Sequence, residues 1–133
     1  MAETRGITVT WIPTIDYILE VFNDQINHPR LVNRGGLIST LDRVIWGIPS
    51  QGIPTLWERA AFLFKDIVEN HYFFDGNKRI GILIAFIFLS KNGYEFSPPK
   101  GEIYSVTIEV AQGLKDFDQV TEWFRKNSFR KVE

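Results

Sequence analysis

The ten residues from Ile80 to Leu89 read Ile-Gly-Ile-Leu-Ile-Ala-Phe-Ile-Phe-Leu, so a helix drawn through them is apolar on every side. Such a helix needs protein around it rather than water on one face. Ten residues are too few for a membrane span, which takes about twenty. The rest of the chain therefore has to wrap this segment. The preceding stretch is suited to that task. From Trp57 to Asn70 apolar residues at 57, 60, 61, 64, 67 and 68 mark one face of an amphipathic helix. A chain of 133 residues is one domain's worth, and 44% hydrophobic with 23% charged residues is ordinary globular composition.

Between the two helical patterns lies His71-Tyr72-Phe73-Phe74-Asp75-Gly76-Asn77-Lys78-Arg79. Asp75-Gly76-Asn77 reads as a turn, since Gly takes positive φ freely and Asp and Asn bond their own backbone. The turn presents unpaired N–H groups at the start of the apolar helix, an end that already carries about half a positive charge. Lys78 and Arg79 add two cations there, against the dipole, which makes sense if an anion such as phosphate is the guest. Asp75 suits Mg²⁺, which takes one or two carboxylates and leaves its other positions to phosphate and water. His71, at the end of the incoming helix, suits a general base. An inert surface loop stays open as an alternative: His at a helix C-terminus, an Asp-Gly-Asn turn and a solvated Lys-Arg pair are each common. Their coincidence on one loop favours function.

The nine residues resemble the signature of the Fic/Doc family, H-x-F-x-[DE]-[AG]-N-[GK]-R. His71, Phe73, Asp75, Gly76, Asn77, Lys78 and Arg79 match every constrained position. Lys78 points to the Doc ("death on curing") branch, because most adenylylating Fic enzymes have Gly there. Gly35-Gly36-Leu37 before a helical segment and the Leu89-x-x-Asn92-Gly93 ending are also similar to Doc. The resemblance covers about residues 8 to 128. It implies an all-α Fic fold and a nucleotide-using transferase that takes ATP and Mg²⁺. In the family, Doc-type proteins phosphorylate a Thr of translation elongation factor Tu, whereas Fic relatives move AMP onto Ser, Thr or Tyr. The implied roles are His71 and Arg79 in catalysis, Gly76, Asn77, Lys78 and Arg79 on the phosphates, and Asp75 on the metal. The Asn77 side chain is expected to add a hydrogen bond to phosphate. A Doc-like protein is inhibited by a separate small antitoxin chain.

The other segments frame this site. Pro13 suits a first helical turn, and apolar positions 15, 18, 19, 22 and 26 predict a helix that ends at His28-Pro29, with His28 in a loop. Thr8 to Trp11 reads as a short strand or an extended arm. Gly35-Gly36 reads as a break before a second helix built on Leu37, Leu41, Val44 and Ile45, with Asp42-Arg43 on its solvated face. Residues 47 to 55, with two Gly-Ile-Pro units, read either as a connector or as an extended flap that pairs with a target segment by β-augmentation. A flap in this place docks the target peptide in the family. Ser97-Pro98-Pro99 reads as the N-cap and first turn of a helix through Ile103, Val106 and Val110, and Asp116 with Gln119 as the capping box of a last helix. The residues from about 128 to 133 read as a frayed charged tail. Ser105-x-x-x-Glu109 matches the Fic self-inhibitory motif only in part, because Val110 fails its last position; an ordinary helix face is the preferred reading.

Taken together, these patterns predict one all-α domain over residues 1–133: roughly six helices around a buried central helix, with a small β-hairpin flap allowed for. The preferred function is γ-phosphoryl transfer from ATP to a protein hydroxyl. The alternatives are AMP transfer and a non-catalytic binding module, the latter disfavoured because a phosphate binder needs no base. A net charge of −1 with no basic recognition stripe argues against direct nucleic-acid binding. The absence of Cys rules out disulfides and thiolate metal sites, and only two His argue against a multi-histidine zinc site. A polar N-terminus without a signal pattern makes the cytoplasm the expected compartment.

Overall fold

The computed structural model describes residues 8–23 and 30–132. His28, Ile26 and the predicted end of the first helix lie outside the described residues. The described chain runs α1 (Ile15–Phe22), α2 (Arg34–Trp46), a 3-10 turn (Pro49–Gln51), α3 (Leu56–Asn70), α4 (Asn77–Lys91), β1 (Tyr94–Phe96), α5 (Glu102–Ala111), α6 (Phe117–Lys126) and β2 (Ser128–Arg130). The architecture is the expected all-α one, with six helices among the described residues and one small antiparallel sheet.

Local chemistry sets the helix starts. Thr14 caps α1 by accepting from the Tyr17 N–H at 3.0 Å. α3 opens on a reciprocal capping box: Thr55 Oγ1 accepts from Glu58 N at 3.1 Å and Glu58 Oε1 from Thr55 N at 2.8 Å. Asp116 and Gln119 do the same for α6, as their spacing predicts. α2 starts earlier than the Gly-Gly pair suggests. Asn33 Oδ1 accepts from Gly36 N at 2.9 Å, so Gly35 and Gly36 lie inside the first turn. α5 starts later than Ser97-Pro98-Pro99 suggests, at Glu102 behind Gly101 with φ 88°. Ser97 is not a cap: its N–H donates to the Asn127 carbonyl at 2.8 Å and prolongs the sheet.

α3, rather than the more apolar α4, is the hub. It packs extensively on α2, α4, α5 and α6, and both Phe62-Leu63-Phe64 and Ala60-Ala61 are buried. α4 buries Ile80, Gly81, Ile84, Ala85, Phe88 and Leu89 but leaves Ile82, Leu83, Phe86 and Ile87 half covered. Gly81 lets the two helices meet: a Cβ there would lie 2.7 Å from Val68 Cγ2.

The tail is not frayed through Arg130. β2 pairs with β1 in the register Tyr94↔Arg130, Glu95↔Phe129, Phe96↔Ser128. Phe96 holds the sheet down, its ring 4.8 Å from Trp123, 4.9 Å from Phe124 and 5.2 Å from Phe86. Thr8 to Trp11 is an arm without strand pairing, fastened by Asn92. Asn92 Oδ1 accepts from Thr10 N at 2.8 Å and Trp11 N at 3.3 Å, and Nδ2 donates to the Trp11 carbonyl at 2.9 Å and the Phe88 carbonyl at 2.8 Å. No described helix is long and apolar enough to cross a membrane.

Candidate active site

The loop between α3 and α4 begins with His71 at φ 53° and ψ 52°, the one non-glycine left-handed residue among those described. That conformation costs an L-residue about 1–2 kcal/mol, although His tolerates it better than most. Its imidazole is exposed. The next two side chains, Tyr72 and Phe73, are buried and anchor the loop from within.

A second segment staples the loop from outside. Val32 and Asn33 donate from their N–H groups to the Tyr72 carbonyl at 2.8 and 3.0 Å, and Phe74 N donates to the Arg30 carbonyl at 2.8 Å. Leu31 and Phe73 form a single antiparallel bridge. Phe74 itself is exposed, with the Arg30 guanidinium 5.4 Å above its ring centroid. Reading along the chain misses this staple, because its partners are main-chain groups some forty residues apart.

Asp75 and Gly76 make the turn. Gly76 has φ 78°, and its N–H donates to Asp75 Oδ1 at 2.8 Å. The Gly76 N–H is thereby engaged, and the donors left for an anion belong to the first turn of α4. That helix start has no side-chain cap and no acidic residue in its first turn, so its partial positive charge is met among the described residues only by Asp75 just ahead of it. Lys78 and Arg79 stand exposed on it.

Asn77 departs from expectation. It is only 7% exposed. Its Oδ1 accepts from Phe73 N at 3.0 Å and its Nδ2 donates to the Phe73 carbonyl at 2.8 Å. The side chain closes the loop and does not face a ligand; only the Asn77 backbone N–H stays with the anion end.

No group of three or more His, Cys, Asp or Glu side chains gathers as a metal site among the described residues. Asp75 is a single exposed carboxylate with Oδ1 steadied by Gly76. This donor set fits Mg²⁺ held by one carboxylate together with phosphate oxygens and water; it does not fit a metal caged by protein alone.

Beneath the loop lies a polar cluster that the sequence reading did not find. Tyr72 OH is 2.7 Å from Thr40 Oγ1 and 3.2 Å from Asn70 Nδ2, and Thr40 Oγ1 is 3.0 Å from Asp66 Oδ2. Arg43 pairs with Asp66, so it is not on a merely solvated face. Burial alone would lower the Arg43 pKa; the Asp66 hydrogen bond and charge, with help from Tyr72, outweigh it and raise the value.

Residues 47–55 do not form an extended edge. Pro49–Gln51 is a 3-10 turn, and the loop folds on itself: a Cβ on Gly47 would lie 2.7 Å from Pro54 Cδ. Arg59 ties it to the core by donating to the Val44, Ile45 and Pro54 carbonyls at 2.8, 3.2 and 3.3 Å. Burial lowers the Arg59 pKa from its ordinary high value. Trp46 and Ile53 remain 76% and 87% exposed beside the loop.

The sequence profile of the Fic/DOC family matches residues 18–89, a span that contains α2, α3, the whole loop and most of α4. Over 44 residues the chain is 41% identical to the protein named Toxin Doc of Mycolicibacterium smegmatis. That alignment covers 33% of this chain and 34% of the relative, so the chain spans about a third of the length of the curated protein it matches.

Proposed function

The chain belongs to the Fic/DOC family, and from that premise we propose that it is a Doc-like toxin that moves the γ-phosphoryl group of ATP onto a Thr or Ser hydroxyl of a target protein. Elongation factor Tu is the proposed target, the cytoplasm its place of action, and a separate antitoxin chain its inhibitor. The observation that carries this reading is the pairing of an exposed His71, ending α3, with an uncapped, doubly cationic start of α4 across a single turn.

In this reading His71 takes the proton from the target hydroxyl. The hydroxyl oxygen bonds to the γ-phosphorus while the bond to the β-phosphate oxygen breaks, and ADP leaves. The N–H groups of the first turn of α4 hold phosphate oxygens, and Lys78 and Arg79 offset the charge on the phosphate chain. Asp75 holds Mg²⁺, which when bound neutralises and orients the phosphates. Catalysis is mainly positioning plus electrostatic stabilisation. Lys78, in place of the Gly of most adenylylating relatives, favours the γ-phosphoryl as the group moved.

The test uses ATP labelled at the α- or the γ-phosphate, with Mg²⁺ and a bacterial translation extract containing elongation factor. Transfer of γ label alone, lost with EDTA and in His71→Ala, is the expected result. Transfer of α label identifies an adenylyltransferase instead. No transfer of either label, with the factor present, leaves a non-catalytic nucleotide- or protein-binding module or a different nucleotide donor. Asp75→Ala is expected to remove the Mg²⁺ dependence of nucleotide binding in calorimetry; an unchanged dependence refutes the metal assignment.

A further inference from the structure

We infer that Tyr72 and Thr40 are positioning residues: their hydroxyls form a directed hydrogen-bond chain that holds His71 in its left-handed conformation and so aims its imidazole. The inference rests on His71 being the base of the proposed reaction.

The imidazole is exposed and makes no hydrogen bond among the described residues, so its backbone is what sets where its Cα–Cβ bond points. That backbone is left-handed, a state His does not prefer when free. Both of its neighbours are tied. Asn70 Nδ2 reaches across His71 to Tyr72 OH at 3.2 Å. The Tyr72 carbonyl is held by two N–H groups from Val32 and Asn33. The Tyr72 ring cannot slide away, because it lies against Gly36, where a Cβ would come within 2.5 Å of Tyr72 Cε1.

Proton accounting gives the chain its direction. The Asp66 carboxylate, paired with Arg43, only accepts. Thr40 Oγ1, fully buried, therefore donates to Asp66 Oδ2 at 3.0 Å and has lone pairs left. Tyr72 OH donates to Thr40 Oγ1 at 2.7 Å, and its oxygen accepts from Asn70. Each hydroxyl hydrogen is used once, and aligned bonds of this kind strengthen one another away from water. The chain runs from the residue before His71, through the residue after it, into the contact between α2 and α3. A general stabilising role explains the part-buried Thr40–Asp66 contact but not the bridge from 70 to 72 across the proposed base.

The test compares Tyr72→Phe, Thr40→Val and Thr40→Ser with the wild type. The first readout is the HN–Hα coupling and 13C shifts of His71, which report positive φ. The second is kcat and KM for ATP. Tyr72→Phe and Thr40→Val are expected to take His71 out of the left-handed state and to lower kcat by about tenfold to a hundredfold, the scale of a misplaced catalytic group. KM for ATP should hold, since Lys78 and Arg79 are untouched, and Thr40→Ser should restore both signals. If Tyr72→Phe does not fold, Asn70→Ala removes the bridge at a partly buried bond and is read the same way. His71 keeping its positive-φ signature in these variants overturns the inference, as does kcat at the wild-type level. If the wild type transfers nothing, the base assignment fails on that result alone, while the NMR readout still decides whether the hydroxyls hold His71.

Discussion

His71 carries backbone strain at the position proposed for the base. A Gly there would relax the left-handed backbone, gaining about 1–2 kcal/mol, and would lose about 0.4–1 kcal/mol to the looser unfolded chain. His71→Gly is therefore expected to leave stability unchanged or raise it by up to about 1.6 kcal/mol in urea denaturation while abolishing the proposed transfer; a clearly destabilised variant would count against the strain. Asn77 gives the opposite case. Asn77→Asp keeps the shape but turns an oxygen toward the Phe73 carbonyl where Nδ2 now donates. An expected cost of about 1–3 kcal/mol follows from the lost bond and the facing acceptors, readable as a lowered urea midpoint. The gathering of His71, Asp75, Lys78 and Arg79 on the stretch between α3 and the start of α4 was legible in the order of the residues, since it lies between two helical patterns. The direction of the Asn77 side chain was not, because its partner is a main-chain amide that any residue at 73 except Pro would offer.

At the scale of elements, two glycines set distances. Gly81→Ala should help an isolated helix by about 1 kcal/mol, yet here the new methyl meets Val68 Cγ2 at 2.7 Å and the Phe64 carbonyl at 3.3 Å. Overpacking of about 1–3 kcal/mol outweighs the propensity, so thermal unfolding should show a lower Tm; a rise would mean that the helices part easily. Arg59, from α3, sets a cation on the carbonyls at the C-terminal end of α2, and Arg59→Met leaves three carbonyls without this donor. The expected loss is about 1–2 kcal/mol, with faster amide exchange confined to residues 47–55. α3 and α6 were legible because a capping box is local and chemically specific. The start of α2 was not, since Gly-Gly reads as a break unless one knows that Tyr72 lies against Gly36. β2 was not legible either: three residues of weak alternation acquire a strand only from a partner some thirty residues earlier in the chain.

For the whole molecule, amphipathic spacing was enough to predict a helical array but not its centre. Hydropathy counts apolar residues on one helix, whereas centrality depends on how many neighbours a helix meets, and α3 with its small Ala60-Ala61 pair meets four. The same arrangement has a kinetic side. His71 and the start of α4 stand at the two ends of the 71–76 loop between consecutive helices, so they come together with the closing of that one short loop. The staple from residues 30–33 and the β1–β2 pairing require chain segments far apart to meet, and they are expected to form on the downhill side of the barrier. A chevron analysis should then find that Ala61→Gly in α3 mainly slows folding while Phe96→Leu in β1 mainly speeds unfolding. In that order of events the proposed catalytic loop is roughly assembled before it is held still, and the last contacts to form are the ones that fix its geometry.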